Sequence, residues 1–458
     1  MFKKSLKYTF AFLLISSFLL AGCASPATPA PATEAPAVES PAATEAPAVE
    51  TPAATEEQTP TEAPATEASS EVVEITYMRQ ADNPDIELDY VKEFEAKYPN
   101  IKVNVDSVPA NDNYNKLVLT TNAGNPPDVF MSFWTASAVS NNLIYPLDEF
   151  VNVDEFNKRF TSAGQAYAKY NDRIYAIPWR AGGSLFLVNC KMLQDAGVEV
   201  PKLGWNWDDL TAISEKLYNK EKGTYGFGVV GSSTDYATEW QFWPFLLQAG
   251  GTIIENNRAV FNSPAGVKAL EYLISLKPYM PEGFTSMDLN QLVDLMVSDK
   301  VAMFEDGPWF IGIIQSGHPD FDVCVAPMTV GEMPGNIVGG TALGMSPLSK
   351  HKEEAWKFID FMTSDDILIR WNEATNNIPP NNAAFERPLY QSGPMAVAAE
   401  VVKQPNVIPA NQYPESDALN AIMRNYLQAA YLDQMTPKEA LDKAAEEWNA
   451  ILMTYDNP

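Results

Sequence analysis

Three regimes of hydrophobic patterning follow one another along the 458 residues. Tyr8 to Leu20 is mostly apolar. Residues 24–70 are built almost entirely from Ala, Pro, Thr, Glu, Ser and Val, with no aromatic, no Lys or Arg, and no helical or strand period. From Val72 onward the apolar positions recur with the periods of secondary structure. Val73–Met78 predicts a strand, Pro84–Tyr98 a helix with Ile86, Tyr90, Val91, Phe94 and Tyr98 on one face, and Ile101–Val105 a second strand. Asn111 is expected to cap a helix through Leu119, and Pro127–Met131 is a third apolar run. Ser263-Pro264 pairs an N-cap with a proline at N1 and turns Val267, Leu270, Leu273 and Ile274 inward. Thr436 and Glu439 form a capping box for the last helix, whose inner face is Leu441, Ala444, Trp448 and Leu452. Strand and helix alternate, which predicts α/β layers with mostly parallel sheets and sites in the loops beyond the strand ends.

The first regime reads as an export signal. Lys3, Lys4 and Lys7 precede an apolar stretch too short to span a bilayer, and it ends in Leu20-Ala21-Gly22-Cys23. Those four residues resemble a bacterial lipobox, which implies a signal peptide over 1–22 and a lipid on Cys23. The chain is then expected outside the cytoplasm, held to the outer face of the cell membrane by that anchor. The second regime, 23–70, reads as a disordered Ala/Pro/Thr/Glu-rich tether. It repeats Thr33-Glu34-Ala35-Pro36-Ala37-Val38-Glu39 as Thr44-Glu45-Ala46-Pro47-Ala48-Val49-Glu50 and has too little apolar surface to offset its ordering entropy.

Charge narrows the partners. The whole chain carries a formal net charge of -28, and the part beyond the tether remains strongly acidic. That excludes nucleic acid and an electrostatic hold on anionic lipid, both of which require basic surface. Past Cys23 only Cys190 and Cys324 remain. Each sits in an apolar strand-like run, and nothing in the sequence brings the two together, so buried free thiols are expected rather than a disulfide.

Catalytic chemistry finds few parts. The two histidines, His318 and His351, lie in turn-like, surface-type surroundings, and no phosphate-cradling loop, nucleophile elbow or dinucleotide fingerprint is present. No metal or cofactor is expected. Paired carboxylates leave no local signature, so a secreted carbohydrate hydrolase is the one enzyme class that stays open. The informative excess is aromatic: ten tryptophans, several beside Gly, Pro, Asn or Gln in loop-like segments. Indole faces suit the C–H faces of sugars. Core filling is the expected role of Trp356 and Trp448, while Trp205, Trp207, Trp243 and Trp371 are divided evenly between the two roles.

Several stretches in order carry a family resemblance. They are Thr121–Val129, Ile174–Pro178 leading to Val188-Asn189, Trp205–Leu210, Gln248–Gly251 before Phe261–Pro264, Gly307-Pro308-Trp309, Gly339-Gly340-Thr341 and Glu354–Ile359. Over residues 72–455 the chain resembles the family 1 extracellular solute-binding proteins, the group that includes maltodextrin-binding protein. The resemblance implies an α/β, two-lobed periplasmic-binding-protein-like fold with a hinge and an interlobe ligand cleft. Lobe one would be 72–178 plus 334–375, and lobe two 182–330 plus 376–458. It implies a monomer that captures a sugar and passes it to the permease subunits of an ABC importer; a polyamine is the alternative small solute.

Site residues follow from the same resemblance, position by position. Trp309 stands where the family presents an aromatic to a sugar ring. Arg79 and Asp82 lie in the loop after the first strand, and Ser132 and Trp134 follow the Pro-Pro-Asp strand. Trp179, Gly182 and Gly183 lie at the hinge crossing, where glycine lets backbone approach a ligand. Trp240 and Gln241 open a helix, and Gly340 and Thr341 close the rim of lobe one. The maltodextrin-binding member has a glutamate where this chain has Gly182, a departure that weakens maltose itself as the ligand.

Overall fold

The computed structural model describes residues 72–455 except 82, 404–406 and 411–412. The readings for the signal peptide, Cys23, the tether and Asp82 all lie outside the described residues.

Alternation along the strands builds two sheets, each covered on both faces. Nine strands of three or more residues are used here: β1 (Val73–Gln80), β2 (Ile101–Val108), β3 (Val129–Ser132), β4 (Ala176–Gly183), β5 (Leu185–Asn189), β6 (Met303–Asp306), β7 (Val323–Ala326), β8 (Asn336–Met345) and β9 (Val407–Pro409). In β1, Ile75 and Tyr77 enter one core while Met78 enters the opposite one; in β3, Val129 and Met131 part from Phe130 in the same way. In β5, Leu185 and Leu187 face one cluster and Phe186 and Val188 another. A period of two that buries both sides is what a sheet between helical layers requires.

The first sheet runs β9-β8-β3-β1-β2, with β4 also paired to β8. β1 is parallel to β2 and β3, whereas β8 is antiparallel to both β3 and β4. The second sheet, β6-β5-β7, is antiparallel throughout. The expectation of mostly parallel sheets is therefore corrected to mixed ones. Parallel neighbours need a crossover connection, and β8 instead re-enters the first sheet directly from the second.

Two segments cross between the sheets side by side. β4 ends at Gly183, and one residue later β5 begins in the second sheet. β8 flanks that passage, pairing Val338 with Gly183 and Thr341 with Arg180, with an irregularity between Thr341 and Ala342. Asn336 donates from its amide to the Ser184 carbonyl at 2.9 Å, and the Ser184 N–H donates to Ile337 at 3.2 Å.

The cysteine expectation is overturned: Cys190 and Cys324 form a disulfide across 134 residues of chain. Antiparallel pairing sets Val188 opposite Cys324 and Asn189 opposite Val323, which carries the next residue, Cys190, to the bridge. Both cysteines are half-buried.

Local signals fared well where capping chemistry was explicit. The Ser263 hydroxyl accepts from Gly266 N at the head of the helix Pro264–Ser275, and the Thr436–Glu439 capping box opens Pro437–Leu452. Leu441, Ala444, Trp448 and Leu452 are all buried. The helix expected to begin at Asn111 runs Ala110–Asn122, and Pro109, extended at φ -53°, holds the N-cap position.

Candidate ligand-binding site

Glycines at the crossing leave room for two indoles. A methyl group added at Gly182 would stand 3.0 Å from the Pro308 ring and 3.1 Å from Trp309; one at Gly339 would lie 2.8 Å from Trp240 and 3.1 Å from Trp309. The Trp240 and Trp309 rings meet edge to face, 5.5 Å apart at 69°. Trp240 is buried at the end of the short helix Ala237–Trp240, and half-buried Trp309 begins the helix Trp309–Gly317. Gly307 sits directly under the Trp309 ring, where any side chain would strike it at 2.1 Å.

Behind the indoles lie two fully buried acids at the end of β6. The Trp240 N–H donates to Glu305 Oε1 at 3.1 Å. The amide of Gln241 donates to the Glu305 carbonyl at 2.7 Å and accepts from the Val230 N–H at 2.9 Å. Asp306 Oδ1 accepts from its neighbour Gly307 N at 2.7 Å, and the Tyr236 hydroxyl reaches the same oxygen at 3.5 Å. Burial, reinforced by Asp306, pushes the Glu305 carboxyl well above the usual range. Burial likewise pushes Asp306 up to about 8, against the opposing bond from Gly307. Burial thus favours the protonated form of both side chains.

A polar group adjoins the crossing from the first sheet. Half-exposed Arg180 donates to the side chain of buried Gln80 at 3.3 Å and pairs in register with Thr341. Thr341 is buried, and its hydroxyl has no hydrogen-bond partner. Gly340 brings the β8 backbone against Arg180, since a methyl there would lie 2.4 Å from the Arg180 carbonyl oxygen.

The residues singled out in the sequence thus separate into groups. Gly182, Trp240, Trp309, Gly340 and Thr341 gather at the crossing. Gln241 is 1% exposed and bound at both ends of its amide, so it supports the site from behind. Gly183 faces Val401, 2.4 Å from where its methyl would be. Ser132 and Trp134 form a separate buried group at the end of β3, with Trp134 against Tyr114 and Phe133 at 5.0 and 4.0 Å.

Two residues belong to the core rather than to a surface. Trp179 is fully buried against Trp371 at 5.1 Å. It alternates along β4 with Arg180, so the side chain next to it, not its own, turns to the crossing. Arg79 is 2% exposed and is consumed in organising its own loop: it bonds the Asn83 and Pro84 carbonyls and approaches Glu87 at 3.7 Å. Glu87 also accepts from the Tyr77 hydroxyl at 2.6 Å.

Arg180, Gln80, Glu305 and Asp306 escaped the sequence reading. Three of these had a signal. Arg180 is the one cation in the apolar run from Ile174 to Val188, and Glu305-Asp306 interrupts another such run just before Gly307-Pro308-Trp309.

With this geometry in place, the chain was compared with known proteins. Residues 89–398 match the family model described as bacterial extracellular solute-binding protein. A binding protein of Brucella abortus is 26% identical over 372 residues, covering 79% of this chain and 88% of that one. The arabinooligosaccharide-binding protein of Bacillus subtilis is 23% identical over 396 residues, again 79% and 88% of the two chains. A solved ABC transporter solute-binding protein from Thermotoga lettingae, bound with alpha-D-tagatose, is 26% identical with a TM-score of 0.74, covering 83% of this chain and 100% of that one. The two-lobed α/β fold expected from the sequence is the fold these likenesses show.

Proposed function

Because the chain belongs to the bacterial extracellular solute-binding proteins, we propose that it captures a sugar, mono- or oligosaccharide, at the strand crossing and delivers it to the permease of an ABC importer. One observation carries the ligand class: two edge-to-face indoles seated on glycine backbone, with hydrogen-bonding groups at their rim. Flat apolar faces beside polar edges match a pyranose, whose C–H faces are apolar and whose rim is hydroxyl. Relatives whose names or bound ligands are sugars support the same class.

The lobes proposed are 72–178 plus 334–375 and 182–330 plus 376–458. Closure is a hinge motion about the paired β4–β5 and β8 segments, favoured by a ligand that touches both sides. The protein works as a monomer, tied to the outer face of the membrane through lipid on Cys23, with residues 24–70 as its tether. No turnover is involved. Glu305 and Asp306 are consecutive on a strand, so they project to opposite faces and do not flank one glycosidic bond. The preference of burial for the neutral form of both acids also favours neutral hydroxyls over a polyamine.

A thermal-shift screen of residues 72–458 against neutral sugars and polyamines tests the reading, since a ligand that binds only the native state raises its stability by RT ln(1 + [L]/Kd). A sugar should raise the midpoint by several degrees. Stabilisation by polyamines alone, or release of reducing ends from oligosaccharides, would replace the proposal. Cys23→Ser should move the full chain out of the membrane fraction, and a mutant still labelled by fatty acid would count against the anchor.

A further inference from the structure

We infer that Glu305 is a positioning residue of this site: its buried carboxyl holds the Trp240 indole edge-on to Trp309 and so sets the aromatic surface a ligand meets. The inference rests on the sugar-site reading for its meaning, but the geometry exists without a ligand. Oε1 of Glu305 takes the Trp240 N–H at 3.1 Å, while Oε2 is buried without a hydrogen-bond partner. A buried acid with no cation beside it is costly to a fold. Packing alone would be served as well by an apolar side chain.

A second close indole pair makes the contrast. Trp179 and Trp371 are fully buried, 5.1 Å apart, and neither ring N–H has a partner. This fold therefore tolerates orphaned indole N–H groups where tryptophan only fills space. At the crossing it supplies an acceptor. The neighbouring acid does the matching task for the other ring, since Asp306 fixes the Gly307 N–H at 2.7 Å in the turn that presents Trp309.

The groups facing this carboxyl are Asp306 on its own strand, Trp240 from the short helix, and Ser184 from the crossing. Asp235 and Tyr236, which precede that helix, act on Asp306. Burial raises the Glu305 carboxyl well above its ordinary range, and glutamine is close to isosteric with its neutral form.

The test compares the parent with E305Q, E305M and W240F. Near-UV circular dichroism of the unliganded protein reads the paired indoles, and W240F identifies the band they share. Titration with whichever sugar raises the melting midpoint reads affinity. E305Q should keep the band and bind within twofold of the parent at pH 6. E305M should lose the band and bind roughly tenfold more weakly, the scale of a disturbed aromatic anchor.

An E305M protein with the parent's band and affinity would overturn the inference, as would equal losses in E305Q and E305M. If E305M does not fold, E305A decides in the same two measurements, and a parent-like band and affinity there would refute the role. If no sugar binds the parent, the ligand class fails while the dichroism still judges Glu305.

Discussion

Two tryptophan pairs lie on either side of the crossing strand β4 with almost the same geometry, one sealed in the core and the other at the proposed ligand site. Trp179 and Trp371 sit 5.1 Å apart at 52°, and Trp240 and Trp309 5.5 Å apart at 69°. The first pair is sealed among Tyr77, Phe94 and Phe358 in the core of the first sheet. The second has a half-buried ring, a glycine floor and a carboxyl acceptor. Ring spacing therefore does not distinguish the two pairs. They differ in the polar edge, orphaned in the first and bonded in the second, and in the backbone, rather than side chains, against the flat face of the second.

The largest effect should come from the sealed pair. Trp371→Ala is expected to cost about 3–5 kcal/mol of stability through the cavity it leaves, read from urea unfolding, while the folded fraction binds sugar within about twofold of the parent. A loss under about 1 kcal/mol would mean the pair is not core. The disulfide sharpens the contrast on the other side, because it staples the sheet that carries Trp309. Replacing Cys190 and Cys324 by serine should cost roughly 2–5 kcal/mol and make the melting midpoint insensitive to reductant; a parent equally indifferent to reductant would show the bond does not form in solution.

Trp309→Ala should reverse the first pattern. Its affinity should fall by about 2 kcal/mol, at least roughly tenfold, with a melting midpoint close to the parent's. An affinity within twofold would erase the functional difference between the pairs.

A pH dependence distinguishes the acid-backed pair as well. Burial raises Asp306 from its ordinary 3.8 to about 8. The folded protein then holds a proton that the unfolded chain releases above about pH 4. Its contribution to stability is complete below that pH and is lost progressively up to about pH 8. Asp306→Asn should remove this slope, so its stability relative to the parent should rise between pH 5 and 8, whereas Trp371→Ala should keep the parent's slope. Parallel profiles for Asp306→Asn and the parent would show that the carboxyl is already ionised.

Much of the fold was legible because it is written in short-range patterns. Val73–Gln80, the Ser263-Pro264 start and the Thr436–Glu439 box announce themselves within a few residues, since strand alternation and capping bonds span no more than that. Gly307-Pro308-Trp309 was legible too, as a rigid turn that presents an indole. Arg79 was not: a polar residue in a loop looks available, and only the fold reveals that Asn83 and Pro84 have already claimed its guanidinium. Trp179 misled for the mirror-image reason. It stands one residue from Arg180, and on a strand one residue is the difference between the core and the crossing.

The chain by itself thus determined which segments are strands and helices, where several helices start, its acidic character and its family likeness, because each depends on neighbours in sequence or on composition. Tertiary structure decided what depends on distant partners. It joined Cys190 to Cys324 across 134 residues, turned β8 antiparallel to β3, and paired Trp240 with Trp309 rather than with any other indole. It also placed Glu305 under that pair. Such contacts are made when strands and helices distant in sequence assemble, and no local period records which residues will meet.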